Sequence, residues 1–333
     1  MHLATFLRSP LFWITATAFL VTGVLSSKAS GIASGSGGAP ANSSRALASC
    51  SACHSGSAPT PTRTNPPITN LTVGARVLNA GQQTTMTTAV TAGLSGTTGG
   101  FLCETTGGTF GAGTGSHING TGGSITHSNK NQRSWSYTFT APSTPGPIEV
   151  TSVAMTSNGS GSSGDQFSFS GYDPNATSGT PVRLYVLPAG VTNLGIGCAD
   201  GYGNVPVLGA ASSPTLGNAA FAFHLVGGST NAVALLLLGI NPPGFTGVDL
   251  GALLGITGCN GYVLNPLGIP TAVTSTGSAI QAAGSTSFPF PIPSGSSYLG
   301  FAFDAQAGVL DASVASTRAF PLTMTNGLHV VFQ

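Results

Sequence analysis

Cys50-Ser51-Ala52-Cys53-His54 is the stretch of this chain whose residue types and spacing specify a chemistry. Two thiols separated by two residues and followed at once by an imidazole form the C-x-x-C-H signature of covalent haem attachment. The thiols add to the haem vinyl groups, and His54 is carried onto the iron as an axial ligand. An ordinary disulfide between Cys50 and Cys53, or half of a zinc site, is the bland alternative. A zinc site needs a second ligand pair at usable spacing, and none is obvious in the sequence. The expectation is one covalent haem c held by Cys50, Cys53 and His54.

The elements that must carry such a group are short and uncharged. The chain has 333 residues, enough for about two domains. Only 5% of them are charged and the formal net charge is +1, so no basic surface exists for nucleic acid or an anionic membrane. Forty-nine glycines and 41% hydrophobic residues in short aliphatic or aromatic runs point to a folded, turn-rich β protein rather than a disordered one.

Residues 1–29 read as an export signal. Arg8 supplies the positive n-region, Leu11 to Leu25 the apolar stretch, and Ser27-Lys28-Ala29 the small residues of a cleavage site. At about fifteen residues the apolar run is shorter than the ~20 a transmembrane helix needs, although an uncleaved anchor is the other reading. No second long apolar segment is present, so the mature chain is expected to lack a transmembrane helix and to lie in the periplasm, at the cell surface or outside the cell. Residues 30–48 are a Gly/Ser/Ala linker. Ser55 to Pro67 is too poor in apolar residues to bury a haem alone, so the haem must pack on the β-rich region beyond Pro67 or stay exposed.

From Ile68 onward, short alternating runs bounded by Gly and Asn read as strands: residues 72–78, 84–90 and 99–103, then Trp135 to Phe139 and Pro147 to Met155. Trp135, Tyr137 and Phe139 share one face, as sandwich core or as packing for a haem edge. Ala141-Pro142 ends that strand, because proline cannot continue a central one. Residues 176–192 are a connector or a last strand, Val182 to Leu187. A second β region holds runs at 217–223, 232–239, 248–250, 288–293 and 299–310. It closes at Leu322 to Leu328, where Asn326-Gly327 is expected to form a type I′ hairpin turn.

The order of these motifs resembles a known family. C-x-x-C-H, a Gly-Gly-Phe strand at 99–101, an isolated His, W-x-Y-x-F-x-A-P at 135–142, a Gly-Pro-Ile strand at 146–148 and Asn158-Gly159 before Gly164-Asp165 look like the choice-of-anchor V domain, related to the Reeler β-sandwich. The resemblance covers about residues 48 to 175, and Cys103 departs from it. Residues 190 to 333 are similar to a C-terminal β-domain of secreted planctomycete proteins, through G-x-G-C near the start, a G-N-x-x-F strand, a central G-C and an L-x-x-S/T-N-G-L end. Together these imply an all-β chain of two antiparallel β-sandwich domains, 49–180 and 181–333, the first preceded by a short haem-binding segment.

Five cysteines divide as two on haem, one pair and one left over. Cys198 and Cys259 both follow Gly in the same half and are expected to form a disulfide; Cys103 is then a buried inert thiol. For the second axial position of the iron, His127 is the first choice, because it lies in a polar loop and matches the isolated His of the family pattern. His117, Met86, Met155 and an open iron remain as alternatives. Bis-His ligation would give a low-spin centre of lower potential than His/Met.

Other motifs carry less. Gly159 to Gly164 formally matches G-x-G-x-x-G, but the residues after it read as a strand where a dinucleotide site needs a helix. Eight carboxylates, none paired in sequence, give no support to glycosidase chemistry. Asp165 is expected to cap a turn. The resulting expectation is an exported monohaem c-type cytochrome-like electron carrier with a redox partner protein. The alternative is a secreted surface or adhesion β protein that binds a matrix component and in which the haem is ancillary. Catalysis at an open iron is the weakest option.

Overall fold

The computed structural model describes residues 55–57, 63–120, 122–159, 163–176, 179–251, 255, 258–267, 270–277, 283–315 and 320–333. The export signal, the linker and Cys50, Cys53 and His54 lie outside the described residues.

Among the described residues, twelve strands form the first module: β1 (Ser55–Ser57), β2 (Pro67–Val73), β3 (Val77–Asn79), β4 (Gln83–Ala92), β5 (Gly99–Thr105), β6 (Thr109–Gly111), β7 (Ser116–Asn119), β8 (Ser124–His127), β9 (Ser134–Thr140), β10 (Gly146–Thr156), β11 (Ser163–Phe169) and β12 (Val182–Leu187). Ten form the second: β13 (Val191–Leu194), β14 (Val207–Ala210), β15 (Ala222–Val226), β16 (Val233–Gly239), β17 (Val248–Asp249), β18 (Asn260–Gly261), β19 (Thr271–Val273), β20 (Thr286–Pro289), β21 (Ala302–Leu310) and β22 (Leu322–Val331). The all-β expectation holds.

In the first module an eight-stranded sheet runs β1-β11-β10-β5-β8-β7, with β12 beside β10 and β3 beside β12, and it faces a four-stranded sheet β2-β4-β9-β6. Strict alternation in β9 builds the space between them. Trp135, Tyr137 and Phe139 point inward while Ser134, Ser136 and Thr138 are exposed. Across the ladder they pair with Thr88, Met86 and Thr84. Phe101, Ile125, Val150 and Leu184 meet them from the larger sheet. Each such ring buried contributes roughly 1.5–3 kcal/mol. The three aromatics are therefore sandwich core.

The second module packs a five-stranded sheet, β13-β22-β21-β16-β19, against a three-stranded one, β14-β15-β20, with the pair β17-β18 alongside. One of two open readings is settled and one expectation changes here. β12 pairs antiparallel with β10 over Gly146↔Val186 to Val150↔Val182, so Val182–Leu187 is a strand of the first module's large sheet and not a connector. Asn326-Gly327 makes no hairpin: β22 runs unbroken through both residues, with a register irregularity opposite Gln306 to Gly308. The reason is long-range. Asn326 is buried, its Oδ1 accepts from the Leu208 N–H at 2.9 Å, and its Nδ2 donates to the Leu208 carbonyl at 3.1 Å. The side chain thus acts as a peptide group toward β14. Gly327 lies beneath the Tyr262 side chain, where a Cβ has no room.

Candidate functional site

The large sheet of the first module is buried on both faces along β10, which an ordinary two-layer sandwich does not require. Ser152 and Ala154 face the inter-sheet core, so Val153 and Met155 face outward. Val153 pairs with Leu102 and Phe169, and Met155 with Phe167. These five side chains form an apolar cluster of their own on the outer face, each at most 5% exposed. Strand β1, which begins one residue after His54, pairs in parallel with β11 at Ser55↔Ser163 and Ser57↔Gln166. The described end of the leader is therefore the edge strand next to this cluster.

His127 ends β8 on the same sheet. Its Nδ1 accepts a hydrogen bond from the Phe101 N–H at 3.1 Å and lies 3.3 Å from the Phe101 carbonyl. The ring occupies the space over Gly100 where any Cβ would collide with it, 2.6 Å from Cε1, and stands 6.2 Å from the Trp135 ring. Glycine at 100 is what admits the imidazole. With the Phe101 N–H donating, a neutral ring carries its proton on Nε2. With Nδ1 donating to the Phe101 carbonyl instead, Nε2 presents a lone pair, the orientation that metal-bound histidines adopt. Strands β1 and β8 lie four ladder spacings apart, about 19 Å.

The other sixth-ligand candidates separate by face. Met86 is fully buried between the sheets beside Tyr137 and has no route to an exposed group. Met155 belongs to the outer cluster. His117 pairs with Thr126, which pairs with Leu102, and so shares the outer row of that cluster. Asp165 caps the loop between β10 and β11, its Oδ1 accepting from the Asn158 N–H at 3.0 Å.

Cys198 and Cys259 are joined as a disulfide, with Cα atoms 5.0 Å apart across a sequence separation of 61. The bond packs among Leu250, Leu322 and Met324. Cys103 is a free thiol sealed between the sheets of the first module. Burial pushes its pKa up to about 12, against partial relief from Tyr137. Such a thiol is inert at neutral pH. Among the described residues, no three His, Cys, Asp or Glu side chains gather into a metal-binding group.

Sequence reasoning missed the junction between the modules. Tyr185 and Leu187 of β12 belong to the core cluster of the second module, with Val207, Leu208, Phe223 and Leu225. The Tyr185 ring lies flat on Gly209 of β14, where any Cβ would clash with it. A glycine in the middle of a buried strand was the available signal. No family model matches the chain, and no curated protein matches it. Among solved structures, the human F-spondin reeler domain is similar at 13% identity and a TM-score of 0.26, covering 40% of this chain and 91% of that one. The Yersinia pseudotuberculosis adhesin InvE is similar at 15% identity and a TM-score of 0.20 over 80% of this chain, which spans 58% of the adhesin. The type II cohesin dyad of the Acetivibrio cellulolyticus scaffoldin ScaA gives 9% identity and a TM-score of 0.23, covering 80% of this chain and 85% of that one. At these TM-scores none of the three assigns this chain a family or an activity.

Proposed function

We propose that the chain is an exported surface protein whose two β modules form one stiff body that binds an extracellular component, with a haem-bearing leader at its N-terminal edge. The observation that carries this reading is the shared core at the junction. Tyr185 and Leu187 are strand residues of the first module and core residues of the second. Domains joined only by a linker move independently, whereas a large apolar interface holds them. A stiff two-module body whose sequence is rich in hydroxyls and amides and only 5% charged suits attachment better than turnover. The disulfide fits an oxidising compartment. A host strain lacking the chain should lose attachment to its natural surface and regain it on complementation. Unchanged attachment would overturn the proposal.

A second reading, the exported monohaem electron carrier, is favoured by the C-x-x-C-H motif standing directly before β1 and by the apolar outer face beside that strand. The side chains of that face are already covered, each at most 5% exposed, so a porphyrin would have to lie beside β1 at the edge of this cluster and not upon it. Cys50 and Cys53 would hold it covalently and His54 would ligate the iron; His127 would be the further ligand only if the leader carried the group across the sheet toward β8 and Nδ1 donated to the Phe101 carbonyl. When bound, haem supplies one-electron chemistry; the protein supplies position and tuning. Export of the chain in a host with haem-maturation machinery, then a pyridine haemochrome spectrum, tests this. Absence of covalent haem would sink it.

A further inference from the structure

A groove of about 780 Å³ runs along the junction, walled by the loops around Arg76 and Thr180 from the first module and by those around Asp200, Ser229 and Asp311 from the second. That volume lies within the range of ligand sites. Its carboxylates are held by hydrogen bonds from their own loops, and one of its two arginines is ion-paired. Asp200 accepts from the Tyr202 and Asn204 N–H groups at 2.8 and 2.7 Å and from the Asn204 amide at 3.0 Å. Asp311 accepts from the Ser313 N–H at 2.9 Å and from the Thr323 hydroxyl at 3.3 Å. Arg183 is paired with Glu149 at 3.0 Å.

Arg76 differs. Its backbone carbonyl accepts from Tyr185, but its guanidinium makes no hydrogen bond or ion pair among the described residues. It lines this groove and a neighbouring pocket of about 220 Å³. Burial alone depresses its pKa, with no partner acting to restore it. Arg76 is partly exposed and lines the groove, so an anion entering the cavity can pair with its guanidinium. At the rim, Tyr202 meets Tyr172 edge-on with ring centroids 5.0 Å apart, and the rings remain 51% and 66% exposed. One ring comes from each module, and the Tyr202 N–H donates to Asp200 Oδ1 at 2.8 Å, which fixes the turn that carries it. Exposed aromatic faces beside a wall of amides and hydroxyls such as Asn70, Asn204, Thr230 and Ser313 match the alternating C–H faces and hydroxyl edges of sugar rings.

We infer that the junction groove binds an acidic saccharide, with a uronate carboxylate on the Arg76 guanidinium and a sugar ring against Tyr202. This rests on the surface-protein reading and names the class of component it binds. The test titrates the full exported chain calorimetrically with trigalacturonic acid, its methyl ester and maltotriose. Binding of the acid, with the ester and the neutral sugar each weaker by about tenfold or more, is expected. Arg76→Gln and Tyr202→Ala should each weaken the acid by about tenfold or more while leaving the melting temperature near that of the parent. Equal binding of acid and ester, no binding of the acid, or full competition by free acetate would overturn the inference. The ester comparison needs no variant, so a misfolded mutant cannot obscure it. Because binding is read in solution, its failure leaves surface display and attachment to be judged separately.

Discussion

Tyr185 Oη lies 3.0 Å from His224 Nδ1, and the pair joins the last strand of the first module to the central strand of the small sheet in the second. Burial depresses the His224 pKa below that of a free imidazole. Below its unfolded pKa of ~6.5 the unfolded chain therefore binds a proton that the folded chain resists. Stability should fall as pH drops from 7 through this range, and the loss should level off once the folded ring also protonates. Melting curves between pH 7.5 and 4.5 should show His224→Gln flatter than the parent. Parallel curves would remove His224 as the source.

Tyr185 also sets the mechanical coupling of the modules. Truncation to Ala removes a fully buried ring and should cost about 3–5 kcal/mol, whereas Phe, which loses only the hydroxyl contact, should cost about 1 kcal/mol. Calorimetry should show one transition in the parent and two in Tyr185→Ala, as the modules melt apart. Gly209→Ala, which forces a Cβ into the Tyr185 ring, should behave like the truncation.

Reduction of Cys198–Cys259 releases a loop constraint worth about 4 kcal/mol in the chain-entropy model. A lowered melting temperature of the single transition under reductant is the expected result; in Tyr185→Ala, where the modules melt apart, only the second module's transition should move. The Cys198→Ala/Cys259→Ala chain should match the reduced parent and no longer respond to reductant.

Asn326→Leu leaves the Leu208 N–H and carbonyl without their partners in a buried position, at a cost of about 1–3 kcal/mol. Chemical denaturation measures it. Asn326→Asp should cost more than Asn326→Leu at neutral pH, because its carboxylate is buried against the Leu208 and Gly327 carbonyls, and an undisturbed midpoint in Asn326→Leu would refute the peptide-mimic role.

Cys103 should resist a thiol reagent in the folded chain and react only on unfolding, since burial holds its pKa near 12. Rapid modification of the native protein at pH 7 would contradict its placement between the sheets.

What can be read from the sequence is whatever is encoded locally. The two-residue period of Trp135-Ser136-Tyr137-Thr138-Phe139 fixes both a strand and its buried face, and the structure agrees. Cys198 and Cys259 pair by their shared Gly-Cys contexts and are bonded. Features that depend on partners far along the chain are not legible. Asn326-Gly327 has the composition of a hairpin turn, yet Leu208, 118 residues away, captures the Asn side chain and keeps the strand straight. Val182 to Leu187 reads equally as a connector, because only its pairing with β10 and its burial against β14 show that it serves both modules. Arg76 carries no motif at all; its significance lies in which charges its neighbours have already used.

Attachment through the two modules requires that both stand outside the cell envelope. Intact cells of the host should be treated briefly with a protease that cannot cross the envelope, and the released peptides identified by mass spectrometry. Peptides from both modules should appear, with internal markers untouched. Recovery of the chain only after the envelope is broken would contradict surface display.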